Sequence, residues 1–471
     1  MTSPAQHESA AFSRFPIRAA VLLLLLWLTT ACQGAAPEPP ANRPSGPGPL
    51  RVSDDGRYLV QADSKPFTYL GDTAWAMLAN LSSEEMSEYL NERKTQGFTV
   101  IQTAIYFDQA GMANGSPFDS DVSAPKEAFF AEQVDVAIAK AAELGLVLAL
   151  HPIWGDKTVD RLITDENAEG YGRFLGERYR DANNLIWVLG GDITAAGHEQ
   201  LWRNLARGLA EGKTGAEDYS QSLMTFHPVG DESSSLRFHD DEWLDFNSVQ
   251  SGHCPSKPLP YDLVAADWAR TPVKPVIDFE PMYESHPYCW ANPPDGFATP
   301  LDIRKMAYWD YLAGGFGHSY GHHSIWPFSM DGHPFDNSGG GAPGTWREAM
   351  TAEGARQMVH LRTLMEARPI ALRVPDQSVI VGDAGTAMER NQAARAADGS
   401  YLIVYALQSV TVNLSKLSGT TVSAYWFNPR TGESTAVTVN KGTKVRLDPP
   451  SKEDWVFVAD DKAAGYQPPG G

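Results

Sequence analysis

The chain has 471 residues, 42 % of them hydrophobic and 20 % charged, with a formal net charge of −20. This is a globular composition too long for one ordinary core, so a barrel with a smaller domain, or two or three domains, would hold it. The acidic balance argues against nucleic acid as the main partner and against charge-driven docking on anionic lipid, and three Cys are too few for a disulfide scaffold.

Arg14 and Arg18 precede an uninterrupted apolar run over 19–28, followed by Thr29, Thr30, Ala31 and Cys32. A basic region, an apolar run and a small-residue cleavage site make an export signal over 1–31. The run is shorter than the ~20 apolar residues that span a membrane. Cys32 stands where a bacterial lipoprotein is lipidated, although Thr29 occupies the place usually held by Leu, Val or Ile. The expectation is an exported lipoprotein facing the periplasm or cell surface, with the lipid anchor as its only membrane contact. Plain secretion is the alternative. Residues 32–49, rich in Pro, Gly and Ala, have nothing to bury and read as a tether.

The body then alternates strands and helices. Phe67–Gly71 reads as a strand, and a helix capped by Ser82 or Ser83 runs to Gln96, stopped by Gly97. Thr99–Tyr106, Leu146–His151, Asn184–Leu189, Leu223–His227, Asp245–Gln250, Pro275–Phe279 and Gly315–Tyr320 continue the strands. Helical spacing separates most of them, over Phe130–Leu144, Asn167–Arg180, His198–Glu211, Leu259–Arg270 and Pro300–Ala313, and Thr351–Glu366 follows the last. Eight such units predict an α/β fold, a (β/α)8 TIM barrel over 50–370. A doubly wound open sheet is the alternative, but no Gly-rich phosphate loop follows the first strand. After Pro369 the pattern becomes short β-rich runs, Val379–Val381, Tyr401–Leu407, Val410–Leu414, Thr420–Phe427, Ser434–Val439, Lys444–Leu447 and Trp455–Val458. Turn residues divide them, which predicts a small antiparallel β-sandwich over 371–462 and a flexible tail over 463–471.

In such a barrel the active site lies at the C-terminal ends of the strands. Taken in that order, the strand ends carry Asp72 and Trp75; Gln102, Tyr106 and Asp108; His151 and Trp154; Asp192; His227; Gln250 and His253; Glu280, Tyr283 and Glu284; and His318, Tyr320, His322, His323 and Trp326. Carboxylates in a ring of Trp, Tyr, His and Gln suit a sugar: aromatic faces stack on C–H faces, and polar groups grip hydroxyls. Two carboxyl groups flanking one bond are what glycoside hydrolysis needs. Blander readings compete. A loop Trp packs a barrel rim as often as it binds, and Asp72 after Gly71 could simply hold a turn. Asp278, two residues before Glu280, should share its face and be either its neighbour or a rival carboxylate. His318, His322 and His323 lack the defined spacing of a zinc site, so no metal or other cofactor is expected. Cys254 and Cys289 follow strands 6 and 7, whose loops are neighbours, so in an exported protein they could pair.

The runs Tyr69-Leu70-Gly71-Asp72-Thr73-Ala74-Trp75, Gly97-Phe98-Thr99-Val100-Ile101-Gln102, Trp187-Val188-Leu189-Gly190-Gly191-Asp192 and Glu280-Pro281-Met282-Tyr283-Glu284, with His318-Ser319-Tyr320-Gly321 and Trp326, resemble the apiosidase-like barrel enzymes of glycoside hydrolase family 140. The trailing sandwich resembles the collagen-binding-type domain that accompanies such barrels, a label that implies little about its role here. The resemblance implies a retaining layout, with the acid/base after strand 4 and the nucleophile after strand 7. It carries Asp192 as acid/base and Glu280 as nucleophile. Glu284 competes with Glu280, which is preferred because it directly ends the strand. Asp72, Trp75, Gln102, Tyr106, His151, Trp154, His227, Gln250, Tyr283, Glu284, His318, Tyr320 and Trp326 are the expected substrate contacts. The family name suggests apiose on pectic side chains, so an oligo- or polysaccharide is the expected partner, met by a monomer. Loops 108–128 and 329–348 would decide between exo and endo action. A non-enzymatic surface lipoprotein that binds carbohydrate or matrix, and a metal-dependent hydrolase built on the His cluster, are the alternatives.

Overall fold

The computed structural model describes residues 48–256, 258–291, 294–329 and 344–470. The export segment, Cys32 and residues 33–47 of the tether lie outside the described residues, as does most of the 329–348 loop.

Eight parallel strands form the body: β1 (Tyr69–Thr73), β2 (Val100–Ala104), β3 (Val147–His151), β4 (Leu185–Gly190), β5 (Met224–His227), β6 (Asn247–Val249), β7 (Val276–Asp278) and β8 (Gly317–Tyr320). Six form one ladder in the order β8-β1-β2-β3-β4-β5, and β6 pairs with β7. Backbone bonds close both gaps. The Asp245 N–H donates to the Met224 carbonyl and the Phe316 N–H to the Val276 carbonyl, each at 3.0 Å. The ring is therefore a closed (β/α)8 barrel. Its outer layer comprises α1 (Ser83–Thr95), α2 (Asp135–Glu143), α3 (Ala168–Arg178), α4 (Glu199–Thr214), α5 (Pro260–Trp268), α6 (Pro300–Leu312) and α7 (Glu353–Glu366). α1 starts as the sequence predicts: Ser82 and Glu85 cap each other's backbone N–H groups. Only a short turn of helix, Ser235–Phe238, lies between β5 and β6.

The second sheet has β9 (Arg373–Pro375), β10 (Gln392–Ala396), β11 (Tyr401–Ala406), β13 (Val422–Phe427), β14 (Ser434–Ala436) and β16 (Trp455–Asp461), while β12 (Val410–Val412) pairs with β15 (Val445–Leu447). The six-stranded order is β9-β10-β11-β16-β13-β14, antiparallel throughout. One expectation fails locally, and one strand was not anticipated. Val379–Val381 is not a strand, because Gln377–Val379 forms a 3-10 turn. Gln392–Ala396 is a strand although Ala and Gln are poor strand formers, because its small buried side chains let it pair between β9 and β11.

One hydrophobic core runs from barrel to sheet. It joins Met306, Tyr308 and Trp309 of α6 and Met358 of α7 to Ile403, Tyr405, Val456 and Val458. Tyr308 stacks on Tyr405 at 4.7 Å. Across the same seam Arg304 grips Asp454 through two bonds of 2.7 and 2.8 Å, and Arg368 grips Asp460 through two of 2.6 and 2.8 Å. Paired guanidinium–carboxylate forks fix orientation as well as contact.

Candidate active site

The pleat decides which strand residues can reach the barrel mouth, because successive side chains point to opposite faces. On β1, Asp72 turns to the helices. Arg93 Nε of α1 lies 2.5 Å from Asp72 Oδ2, and the Tyr89 hydroxyl donates to the same oxygen. The third partner is the Thr73 N–H at 3.0 Å on Oδ1. Asp72 is wholly buried and its carboxylate is spent on the fold, so it is not a substrate contact. On β8, His318 and Tyr320 share that outward parity. His318 Nδ1 is 2.5 Å from Asp310 of α6, and the Tyr320 hydroxyl donates to Glu284 at 2.7 Å.

Glu284 itself is turned out of the barrel. Its second oxygen accepts the Gly354 N–H at 3.0 Å, at the first turn of α7. A carboxylate there satisfies an N–H that the helix cannot and meets the positive end of its dipole. Glu284 therefore joins β8 to α7. Asp278 does not share a face with Glu280 either. β7 ends at Asp278, whose Oδ1 accepts the Ser251 N–H at 3.3 Å. Burial raises its pKa to about 7.

Glu280 turns inward once the strand has ended. Its Oε1 lies 3.2 Å from His253 Nε2, and its Oε2 lies 3.1 Å from His227 Nε2. Burial alone would raise its pKa, but the two imidazoles reverse that and hold it down to about 2. Asp192 has the opposite environment. Burial and the nearby Glu280 charge both raise its pKa, and the Gln250 amide donates to its Oδ1 at 3.2 Å. It is presented by a turn that only glycine permits. Gly190 has φ 80° and Gly191 φ 117°. A Cβ at 190 would lie 2.5 Å from the His227 carbonyl oxygen, and one at 191 would lie 2.8 Å from the Trp154 ring. Asp192 follows at φ 48°, in the left-handed region that Asp tolerates better than most residues.

Around this pair the inward residues form an aromatic wall. Trp75 meets Trp154 at 4.7 Å, His151 at 5.1 Å and His227 at 5.5 Å between ring centroids. The Trp75 indole N–H donates to the Tyr283 hydroxyl at 3.1 Å. Burial, and His227 beside it, keep His151 well below the ordinary imidazole range, so it is neutral. Gln102 sits one pleat deeper, where its amide bonds Ser319 at 2.5 Å and Tyr69 at 3.2 Å inside the barrel. Tyr106 belongs to the rim, stacked on Phe118 and donating to Asp108 at 2.9 Å. Trp326 is buried at the edge of the wall, 6.0 Å from Phe107.

The structure thus gathers Asp192, Glu280, Trp75, His151, Trp154, His227, Gln250 and Tyr283, with Trp326 at the edge. It leaves Gln102 below, Tyr106 on the rim, and Asp72, Glu284, His318 and Tyr320 in the helix layer. It also adds residues the sequence reading did not assign. His253 holds Glu280, His286 stacks on His253 at 4.1 Å, and Trp290 stands edge-on to His286 at 4.2 Å. A disulfide joins Cys254 to Cys289. The signal was present, since His253 adjoins one cysteine and Trp290 the other. Among the described residues no group of three or more His, Cys, Asp or Glu could hold a metal ion.

Comparison with known proteins gives the family and the fold. The family model "Apiosidase-like, catalytic domain" matches residues 53–371, and "Putative collagen-binding domain of a collagenase" matches residues 374–460. A crystal structure of a glycoside hydrolase family 5 protein from Bacteroides vulgatus ATCC 8482 is 33 % identical, with TM-score 0.79. The match covers 88 % of this chain and 94 % of that one. A second structure, described as a glycoside hydrolase, is 31 % identical with TM-score 0.77, covering 88 % and 98 %. No curated protein matches.

Proposed function

The chain belongs to the apiosidase-like family and is a glycoside hydrolase, and from that premise we propose a retaining enzyme in which Asp192 is the acid/base and Glu280 the nucleophile, acting on apiose-bearing pectic side chains. The observation that carries this reading is the opposed surroundings of two neighbouring carboxyl groups: Glu280 has the His227 and His253 nitrogens at 3.1 and 3.2 Å, while Asp192 has the Gln250 amide at 3.2 Å and the Glu280 charge nearby. Asp192 is held up, so it has a proton to give; Glu280 is held down, so it is a carboxylate ready to attack. In the first step Asp192 protonates the glycosidic oxygen while a Glu280 oxygen bonds to the anomeric carbon and the leaving alcohol departs. In the second, Asp192 takes a proton from water, the water oxygen bonds to the anomeric carbon, and the Glu280 ester bond breaks. His227 and His253 orient the Glu280 carboxylate and disperse its charge between turnovers. Trp75 and Trp154 supply faces for the sugar, and Gln250 sets the direction of Asp192. The pectic substrate rests on the family likeness. Export and lipidation at Cys32 rest on the N-terminal motif and remain part of the proposal. A surface protein that only binds sugar would have no use for two carboxyl groups tuned in opposite directions.

The test is substitution with product analysis. Asp192→Asn should lower kcat by about 10²–10⁴-fold on pectic oligosaccharides, and least on aryl glycosides whose leaving groups need no proton. The first product seen by NMR should keep the anomeric configuration of the substrate. An Asp192→Asn enzyme of full activity, or an inverted first product, would sink the assignment.

A further inference from the structure

Among the described residues, Trp290 is an exposed aromatic side chain within 6.2 Å, centroid to centroid, of His253, His286 and Trp326 beside this centre. It is 45 % exposed, whereas Trp75, Trp154, Trp326 and Tyr283 are all 4 % or less. An exposed indole is not unusual in itself. What sets this one apart is how firmly it is held. Cys289 and Trp290 both have φ 56°, two consecutive left-handed residues without glycine. Such a backbone persists only where its surroundings impose it. Here the Cys254–Cys289 disulfide ties the segment to the end of β6, the Cys289 N–H donates to the His253 carbonyl at 3.0 Å, and the Trp290 N–H donates to the Pro287 carbonyl at 3.3 Å. The ring is braced edge-on by His286, with His253 5.8 Å and Trp326 6.2 Å away. His253 is one of the two imidazoles beside the Glu280 carboxylate. His286 and the indole are perpendicular at 87°, and with 45 % of Trp290 exposed the indole still offers surface to solvent beside His253, an imidazole that contacts Glu280.

We propose that Trp290 is a carbohydrate-stacking platform for a sugar unit adjoining the cleaved bond, and that the Cys254–Cys289 disulfide is the device that positions it. The inference rests on the glycosidase reading above. It makes Trp290 a determinant of specificity for oligosaccharides over small glycosides. A rigid aromatic face loses little freedom on binding, which is why a clamped Trp serves better than a loose one.

The experiment compares steady-state hydrolysis of apiose-bearing pectic oligosaccharides by the full chain and its variants. Trp290→Ala should raise KM about tenfold, the size of one lost aromatic contact, with a much smaller effect on kcat. Trp290→Phe should recover most of the loss. The Cys254→Ser/Cys289→Ser double variant should raise KM in the same direction, because the platform is present but unclamped. A fall in kcat at unchanged KM would mean that Trp290 acts only by bracing His286, and would overturn the platform. So would no change in either constant. Absence of hydrolysis by the unaltered protein would overturn the glycosidase reading, and the platform with it, a result distinct from hydrolysis that ignores Trp290.

Discussion

At the scale of residues, two carboxyl groups of similar intrinsic acidity are driven apart by what touches them. Glu280 sits between two imidazole nitrogens at 3.1 and 3.2 Å, and half-buried Asp192 sits close enough to feel that negative charge. The proposed mechanism needs Glu280 ionised and Asp192 protonated. The sign of the pH dependence follows. Glu280 is depressed to about 2, so its ionisation is complete throughout the mildly acidic range. Asp192 is raised, so activity falls as pH climbs through its pKa and the proton is lost. The kcat profile should therefore be flat on the acid side while the fold survives, with an alkaline limb set by Asp192. Measuring kcat against pH for aryl glycosides, which need less proton donation, should show that limb weakened. A limb unchanged across leaving groups would assign it to another residue. That both residues lie just beyond a strand end was legible in the sequence: Asp192 follows the Gly190-Gly191 turn, which no side chain could occupy, and Glu280 lies two residues past the end of β7. Glu284 was harder to place: it lies in the same short motif, and only the position of Gly354 shows that it serves α7.

At the scale of elements, the period of two in the strands explains the misplaced residues. The first strand runs Tyr69–Thr73, not Phe67–Gly71. Two residues of register put Asp72 inside the strand, on the helix side, where Arg93 meets it. His318 and Tyr320 are outward by the pleat alone, in register with Leu70 and Asp72, although that strand ends at Tyr320 as predicted. A list of residues near strand ends cannot separate the two faces until the true end of each strand is known. Asp72→Asn tests the consequence. It would leave Arg93 buried without its counter-charge, which costs about 3–5 kcal/mol in such pairs. Thermal or denaturant unfolding should show that loss, with KM little altered in the folded fraction. A raised KM at unchanged stability would instead make Asp72 a substrate contact. His286 and Trp290 escaped the sequence reading for another reason: their place depends on a loop folding back under a disulfide, and no local periodicity encodes that.

At the scale of the whole molecule, barrel and sheet share one core. Residues Asp302–Leu312 of α6 are buried, with barrel on one side and sheet on the other. Tyr308 stacks on Tyr405, Arg304 is gripped by Asp454, and the Trp309 indole N–H donates to the Arg390 carbonyl, all partners from beyond the barrel. Removing residues 374–470 would expose this surface and strand Arg304 without Asp454. The full chain should unfold in a single cooperative transition, and the truncated barrel should be insoluble or lack that transition in calorimetry. Two separate transitions in the full chain would show that the sheet is an independent appendage. The two-domain architecture was legible from the change in pattern after Pro369, but the shared core was not. It depends on which face of α6 the sheet covers, and α6 mixes Asp302, Arg304, Lys305 and Asp310 with its apolar residues so that its sequence marks no solvent side. The account's central claim is narrower than the fold: Glu280 makes the bond to the sugar. Incubation with a 2-deoxy-2-fluoro glycoside of the released sugar, followed by proteolysis and mass spectrometry, tests it most directly. A single covalent label on the peptide at Glu280 is the predicted result; a label on Glu284 or Asp278, or hydrolytic turnover with no covalent label at all, would contradict it.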